Sequence, residues 1–329
     1  FCAVYNGMPG GSSLIKGLFV PICAYVIMAV SLNLTVGILG ELSLGHAGFM
    51  CVGAYASSLF SVCTKTAITS TWIRFPLAIL IGALAAAVFG FIVGIPVLRL
   101  NGDYLAIVTL AFGEIIKTFV NNIYLATDKN GVHLAISSTQ GMNLDETTKT
   151  WLINGPAGID GTPRDSGFTV AFVLVMITLI VIMNLVDSRA GRAIMAIRDN
   201  RIAAESVGIN IAKYKLIAIV TSAFFAGIAG ALYSHNLSTL NMSIMILVFV
   251  VLGGMGSIRG SMIAAVVLYC LPECLRSMKD FRMLIYAIVL IGMMLMSSNE
   301  KIMNAKTRLT ESVRGLLSFG SKNRKEGTE

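Results

Sequence analysis

Residues 188–215, SRAGRAIMAIRDNRIAAESVGINIAKYK, form a basic, helix-prone stretch between two long apolar runs. Arg189, Arg192, Arg198, Arg201, Lys213 and Lys215 stand against only Asp199 and Glu205. Beside membrane spans, such an excess of cations marks the cytoplasmic face. The stretch therefore reads as a cytoplasmic handle on a membrane protein, and it orients the chain on either side of it.

Composition agrees. Hydrophobic residues make up 56% of the chain and charged residues 13%, and the mean hydropathy is +0.80, which excludes an ordinary soluble domain. Crossing a bilayer takes about 20 apolar residues. Stretches near that length run 14–34, 36–63, 75–98, 103–125, 168–187, 216–235, 241–258, 261–275 and 281–298, so nine spans are expected, within a range of eight to ten. The expected fold class is an all-α polytopic membrane protein. Residues 1–298 form the transmembrane domain, with 126–167 as an extracytoplasmic loop, 188–215 as the cytoplasmic segment and 299–329 as a cytoplasmic tail.

Charge tests that count. With 188–215 inside, the loop 126–167 falls outside, where Asp128, Asp145, Glu146, Asp160 and Asp165 outnumber Lys129, Lys149 and Arg164. The tail from Asn299 falls inside, and its Lys301, Lys306, Arg308, Arg314, Lys322, Arg324 and Lys325 exceed its four glutamates. The formal net charge of +8 is therefore topology and a bilayer partner, not a nucleic-acid surface. Trp72 and Trp151 fit interfacial anchors. The chain begins at Phe1 with no charged region ahead of the first apolar run, a poor match to a signal peptide that leaves room for an upstream span. Cys270 and Cys274 share a helix face, but no clustered histidine or carboxylate joins them, so no metal is expected.

Small residues recur at four-residue spacing in Gly90/Gly94, Ala223/Gly227, Ala226/Gly230 and Gly256/Gly260, which allows close helix approach. Two glycine-dense interruptions are more specific: GILGELSLGHAGFMCVG from Gly37, with Gly40, and GGMGSIRG with Gly253, Gly254, Gly256 and Gly260. Breaks in both halves predict an internal repeat with broken central helices. Unwound backbone at membrane depth is tolerated only where protein or water satisfies it, and such breaks point to a substrate path.

Five blocks occur in a fixed order: GELSLGHAGFMCVGAY at 40–55, LRLNGDYLAIVTLAFGEI at 98–115, NGPAGIDGTP at 154–163, GRAIMAIRDNRIAAESVGIN at 191–210 and GGMGSIRG at 253–260. In order and spacing they resemble the branched-chain amino acid ABC transporter permeases, the LivHM family, on the side of its LivM-type subunits. The resemblance covers nearly all of 14–298. Ala157 stands where the pattern leads one to expect Asn, and 126–150 is longer than the family minimum.

The resemblance implies a permease subunit of an importer in the bacterial cytoplasmic (inner) membrane. It would carry leucine, isoleucine or valine by alternating access, driven by ATP hydrolysis elsewhere. Implied partners are a second, LivH-type permease subunit, two cytoplasmic LivG/LivF-type ABC ATPases and an extracytoplasmic substrate-binding protein. Related permeases for urea, short amides or sugars share parts of the pattern. In such importers a short cytoplasmic helix seats in a groove of the ATPase, which here gives that role to 196–208. Ile197, Ala204 and Val207 fall on one helical face with Arg201 among them, Ala203 and Ala204 favour helix, and Gly208 supplies a stop. Arg198, Asp199, Asn200 and Glu205 complete the segment. No Gly-Lys dipeptide occurs, hence no Walker A loop, so no enzymatic activity and no bound cofactor are expected of this chain, and ATP with magnesium belongs to the ATPases.

Candidate path residues are Ser43, Gly45 and His46 in the first interruption, and Thr109 and Glu114 in the fourth span. A carboxylate at mid-membrane costs about 2–3 kcal/mol, so Glu114 must face a cavity or a partner, or carry a proton. Two readings stay open: a path or gate residue, or an i, i+3 pair with Lys117. His46 either bonds substrate or satisfies freed backbone carbonyls. A proton-coupled secondary transporter using Glu114 is the competing hypothesis, and it predicts uptake driven by a gradient without nucleotide.

Overall fold

The computed structural model describes residues 13–65, 68, 70–98, 100, 103–128, 131–136, 150–154, 159, 162–163, 165–236, 258–274, 285 and 288. The chain divides into two compact units, 1–267 and 268–329. The second is described only through the end of one helix and residues 285 and 288; all packing discussed below lies in the first.

Among the described residues five helices are long and apolar enough to cross a membrane. The first is α1, Ser13–Asn33, continued by a π-helical turn, Leu34–Ile38. Next come α2, His46–Cys63, and α3, Thr71–Val97. The other two are α5, Phe168–Asp187, and α8, Ile211–Ser234. Between α3 and α5 lies α4, Asp103–Asn121, whose 19 residues carry Glu114 and Lys117. Two short helices, α6, Arg189–Asp199, and α7, Arg201–Ser206, occupy the basic segment. The last described helix is α9, Ile258–Cys274. It corresponds to the expected span 261–275, while the spans expected at 241–258 and 281–298 lie almost wholly outside the described residues.

Two expectations need correction. The span drawn at 36–63 is not one helix. Its first residues prolong α1 as the π-turn, Leu39–Gly45 is non-helical, and a new helix starts at His46. Gly40 accounts for the stop, because its φ of 78° is a left-handed conformation open chiefly to glycine. The span drawn at 103–125 ends instead at Asn121. The Asn122 N–H folds back onto the Thr118 and Phe119 carbonyls, and its side-chain amide donates to Thr118. The β-branched and aromatic run that follows then pairs as strand.

That strand is β1, Ile123–Asp128, which lies between β2, Gly131–Ile136, and β3, Thr150–Asn154, in an antiparallel sheet ordered β2-β1-β3. The membrane-spanning part is all-α as expected, and the loop expected at 126–167 carries this small sheet. Ile123 and Leu125, two residues apart on one face, pack with Ile153 and Ile159 against Cys51, Tyr55, Leu59 and Val62 of α2. The sheet therefore covers one end of the helix bundle.

Three of the four small-residue pairs sit at helix contacts, and Gly256 of the fourth lies outside the described residues. Gly227 of α8 packs on Ala83 and Ala86 of α3, where an added Cβ would lie 2.6 Å from the Ala86 methyl. Gly53 of α2 faces Gly227, Gly230 faces the Met50 carbonyl, and Gly90 of α3 meets Ala223. α8 is thus the central pillar, held at backbone distance from α2 and α3. By contrast α5 presents Val173, Met176, Ile177 and Ile180 outward, as expected of a lipid-facing helix. Trp72 is exposed at the start of α3, which fits an interfacial anchor.

Candidate functional site

The site grows from the break after α1. The π-turn alters the usual hydrogen-bond ladder: the Leu39 N–H reaches the Leu34 carbonyl and the Glu41 N–H reaches Thr35. At the far end of the unwound stretch, the Leu44 N–H donates to Thr109 Oγ1 of α4 at 3.1 Å. Gly45 then lies directly on the Thr109 carbonyl and Gly48 on Gly113. Glycine is required there, since a Cβ at Gly45 would enter the α4 backbone. Ser43 and Thr109 line one narrow, mostly apolar pocket with Thr35, Glu41, Phe49, Val97 and Leu105. Two of the expected path residues are therefore brought together, with Gly45 beside them.

His46 is not brought to that pocket. It is 2% exposed, with Nε2 at 2.9 Å from Ser222 Oγ of α8 and 3.3 Å from Ser31 Oγ of α1. Ser222 Oγ also stands 2.9 Å from the Ser31 carbonyl, so one hydroxyl joins the imidazole to α1. His46 thus pins three helices together through hydroxyl groups, rather than through freed carbonyls. Glu114 also lies elsewhere. Its carboxylate is 3.6 Å from Lys117 Nζ on the same helix, and both side chains are partly exposed. On the same helix Thr109 is buried and Thr118 is exposed, so the two do not share a face.

The basic segment was expected as one helix over 196–208, and the structure divides it. Asn200 is extended (φ −155°, ψ 105°), and its side chain caps α7 by accepting the Ala203 N–H, a role asparagine fills well. At the other end Gly208 has φ 88°. The Gly208 and Ile209 N–H groups donate to the Glu205 and Ala204 carbonyls, a Schellman stop at the expected glycine. Ile197 and Ala204 are buried with Ile211, but Val207, the C-cap of α7, is 81% exposed, as is Ile202, so it does not share their face. Ala203, Arg201 and Glu205 are exposed as well. An open cleft lined by Leu98, Arg201, Glu205, Gly208 and Asn210 runs alongside.

What sequence reasoning missed is how this segment meets the break. Arg198 turns toward the bundle, and its Nη1 donates to the Gly37 carbonyl at 3.0 Å. Its aliphatic stem covers Gly40, where a Cβ would stand 2.5 Å from Arg198 Cγ. Lys215, buried at the base of α8, forms an ion pair with Glu41. Ile194 of α6 packs with Leu34, Ile38 and Leu39. A signal was available: Glu41 sits in a glycine break and Lys215 at the start of an apolar run, at the same expected end of the bundle.

Opposite, Arg74 Nη2 meets Asp165 Oδ2 at 2.6 Å, with both side chains nearly buried. The His235 ring lies 5.2 Å from Phe75 and places Nδ1 at 2.8 Å from the Ala231 carbonyl. Gly37 and Gly40 thus belong to the break as expected. Gly260 lies inside α9 and is not a break, and Gly253, Gly254 and Gly256 lie outside the described residues. Among the described residues no three histidine, cysteine or carboxylate groups come together.

The sequence model of the family described as "Branched-chain amino acid transport system / permease component" matches residues 14–298. Over 286 residues, 82% of the chain, the protein is 37% identical to the high-affinity branched-chain amino acid transport system permease protein LivM of Salmonella typhimurium. It is 36% identical over the same share to LivM of Escherichia coli K12. It covers 66% of the length of each of these relatives, just under two thirds. A more distant relative, 24% identical over 60% of both chains, is the nucleoside ABC transporter permease protein NupC of Lactococcus lactis.

Proposed function

Since the chain belongs to the branched-chain amino acid transport system permease family, we propose that it is a permease subunit of a bacterial ABC importer carrying leucine, isoleucine or valine across the inner membrane. Its substrate class follows the LivM relatives in preference to the nucleoside permease, which is less similar and covers less of the chain. In this reading the chain pairs with a second, LivH-type permease, receives substrate from an extracytoplasmic binding protein and is driven by two cytoplasmic ATPases that hold the ATP and magnesium. Segment 189–210 and the C-terminus face the cytoplasm.

The observation that carries the proposal is the exposed face of α7. Ile202 and Val207 are large apolar side chains left in the open, on a basic segment where water would otherwise be the neighbour. Flanked by Arg201 and Glu205, they offer an apolar contact with charged edges, the anatomy of a protein interface. The ATPase is the occupant of that face in the importer. Binding-protein docking belongs to the opposite end, where the sheet caps the bundle. Closure of the motors then shifts 189–210, and the pocket region around Ser43 and Thr109 changes its accessibility. Glu114, paired within its own helix, has no proton-carrying role in this scheme.

The test is uptake of labelled leucine into proteoliposomes holding the complex purified through a tag on this chain, with binding protein outside and ATP inside. ATP-dependent uptake by a preparation containing P-loop ATPases and a second permease is expected. Gradient-driven uptake by the isolated chain without nucleotide would replace the proposal with the proton-coupled reading.

A further inference from the structure

Three observations converge on the stretch 37–45. It is gripped at two points on its cytoplasmic side, through Arg198 of the basic segment to the Gly37 carbonyl and through Lys215, in the first turns of α8 where the segment joins it, to Glu41. It is attached to α4 at its other end, where Leu44 bonds Thr109 and Gly45 lies on the α4 backbone. Past Ile38, the last residue of the π-turn, it has no helix to hold it until His46. A rigid helical link would move as part of α1, whereas an unwound one can be displaced by whatever grips it.

The grip is built for this chain. The Arg198 stem fills the space that Gly40 leaves empty, and the guanidinium takes a carbonyl that the altered ladder leaves without its helical partner. The Ile194 side chain closes the apolar side of the joint against Ile38 and Leu39. Lys215 is 3% exposed and Glu41 16% exposed. Separating such a pair leaves a buried charge uncompensated, which is strongly unfavourable. Break and segment are therefore favoured to move together over sliding past one another.

We propose that Arg198 and the Lys215–Glu41 pair are positioning residues that form a two-point tie, by which movement of the cytoplasmic segment is delivered to the unwound stretch and through it to α4. The inference rests on the importer reading above. It adds that the motor's displacement enters the membrane through the first break, gripped by Arg198 and by Lys215 at the start of α8, and not only along the axes of α5 and α8.

The complete complex in proteoliposomes tests it, with ATP hydrolysis and leucine uptake measured on one preparation. If wild-type complex shows no ATP-dependent uptake, the importer reading itself fails. Given wild-type uptake, Glu41→Gln and Lys215→Gln each keep ATP hydrolysis while the uptake per ATP falls about tenfold, within the range typical of coupling between sites. The exchanged pair Glu41→Lys with Lys215→Glu recovers most of that ratio, which a merely destabilised protein would not do. An unchanged ratio in both single variants overturns the tie. A second measurement does not depend on those variants folding: cysteines at Leu39 and Ile194, joined by a short cross-linker with all charges native. If break and segment travel together, the linked complex transports at the wild-type rate. Loss of uptake on linking would overturn the proposal.

Discussion

The two buried ion pairs lie at opposite ends of one helix bundle and are built on different backbones. Arg74 stands in the first turn of the uninterrupted helix α3, its N–H already bonded to the Ser70 carbonyl, and reaches Asp165 just ahead of α5. Lys215 stands on an equally regular helix, α8, but its partner Glu41 sits on a stretch that has left helical geometry altogether. The chemistry is the same at both ends. At the sheet end Asp165 is also non-helical, but it stands three residues ahead of α5 with its N–H on the Pro163 carbonyl, so the pair holds the start of α5 against α3. At the end bearing the basic segment, a charge pair onto an unwound stretch can hold it or pull it. What a buried salt bridge does is decided by what lies beyond each partner: α5 follows Asp165 within three residues, whereas Glu41 stands inside the non-helical stretch Leu39–Gly45.

The largest effect should come from the holding end. Asp165→Ala leaves the Arg74 guanidinium buried without its partner, and removing one member of a buried pair costs about 3–5 kcal/mol. A clear drop in the thermal midpoint in detergent is expected, with uptake per surviving complex little changed. Should uptake per complex fall while the midpoint holds, the sheet end would be a moving part and the contrast would collapse. Gly40→Ala comes next. A left-handed alanine costs about 1–2 kcal/mol, and its methyl displaces the Arg198 stem. Here uptake is expected to fall more than the midpoint does.

Asn200→Ala removes the cap of α7 and costs about 1 kcal/mol locally. It should appear as faster hydrogen exchange of the 201–206 amides, without change at the sheet end. The smallest effect is Glu114→Gln, since a part-exposed i, i+3 pair contributes about 0.2–0.5 kcal/mol. Uptake at wild-type rate is expected, and its loss would return Glu114 to the path.

How far the sequence could be read depended on what each element faces. Residues 168–187 were legible to the residue, because α5 is apolar all round and bounded by Gly167 and Asp187. The stop at Gly208 was legible because a glycine closing a helix leaves a local mark. In the 36–63 stretch the glycines marked a break but not its bounds, since hydropathy is blind to whether apolar residues are helical, π-helical or extended. Ile123, Tyr124 and Leu125 extended the apparent fourth span for the same reason. Val207 was assigned to the wrong face because the helical phase was carried to the end of α7, where Val207 is the C-cap and Gly208 turns the chain away.

In the candidate site, contacts close in sequence could be read and distant ones could not. Glu114 with Lys117 follows from helix geometry. Lys215 with Glu41, 174 residues apart, and Arg198 with Gly37, 161 apart, depend on tertiary packing that no local pattern encodes. His46 was legible as a polar residue in a break, but not as a ligand of Ser31 and Ser222.

The contrast between the two ends can be measured on one sample by hydrogen exchange of the assembled complex, with and without ATP trapped on the motors. Nucleotide should change protection in 189–210 and in 37–46 together, and leave 70–76 and 165–170 as they were. A complex whose basic segment responds while 37–46 does not would contradict the account at its centre.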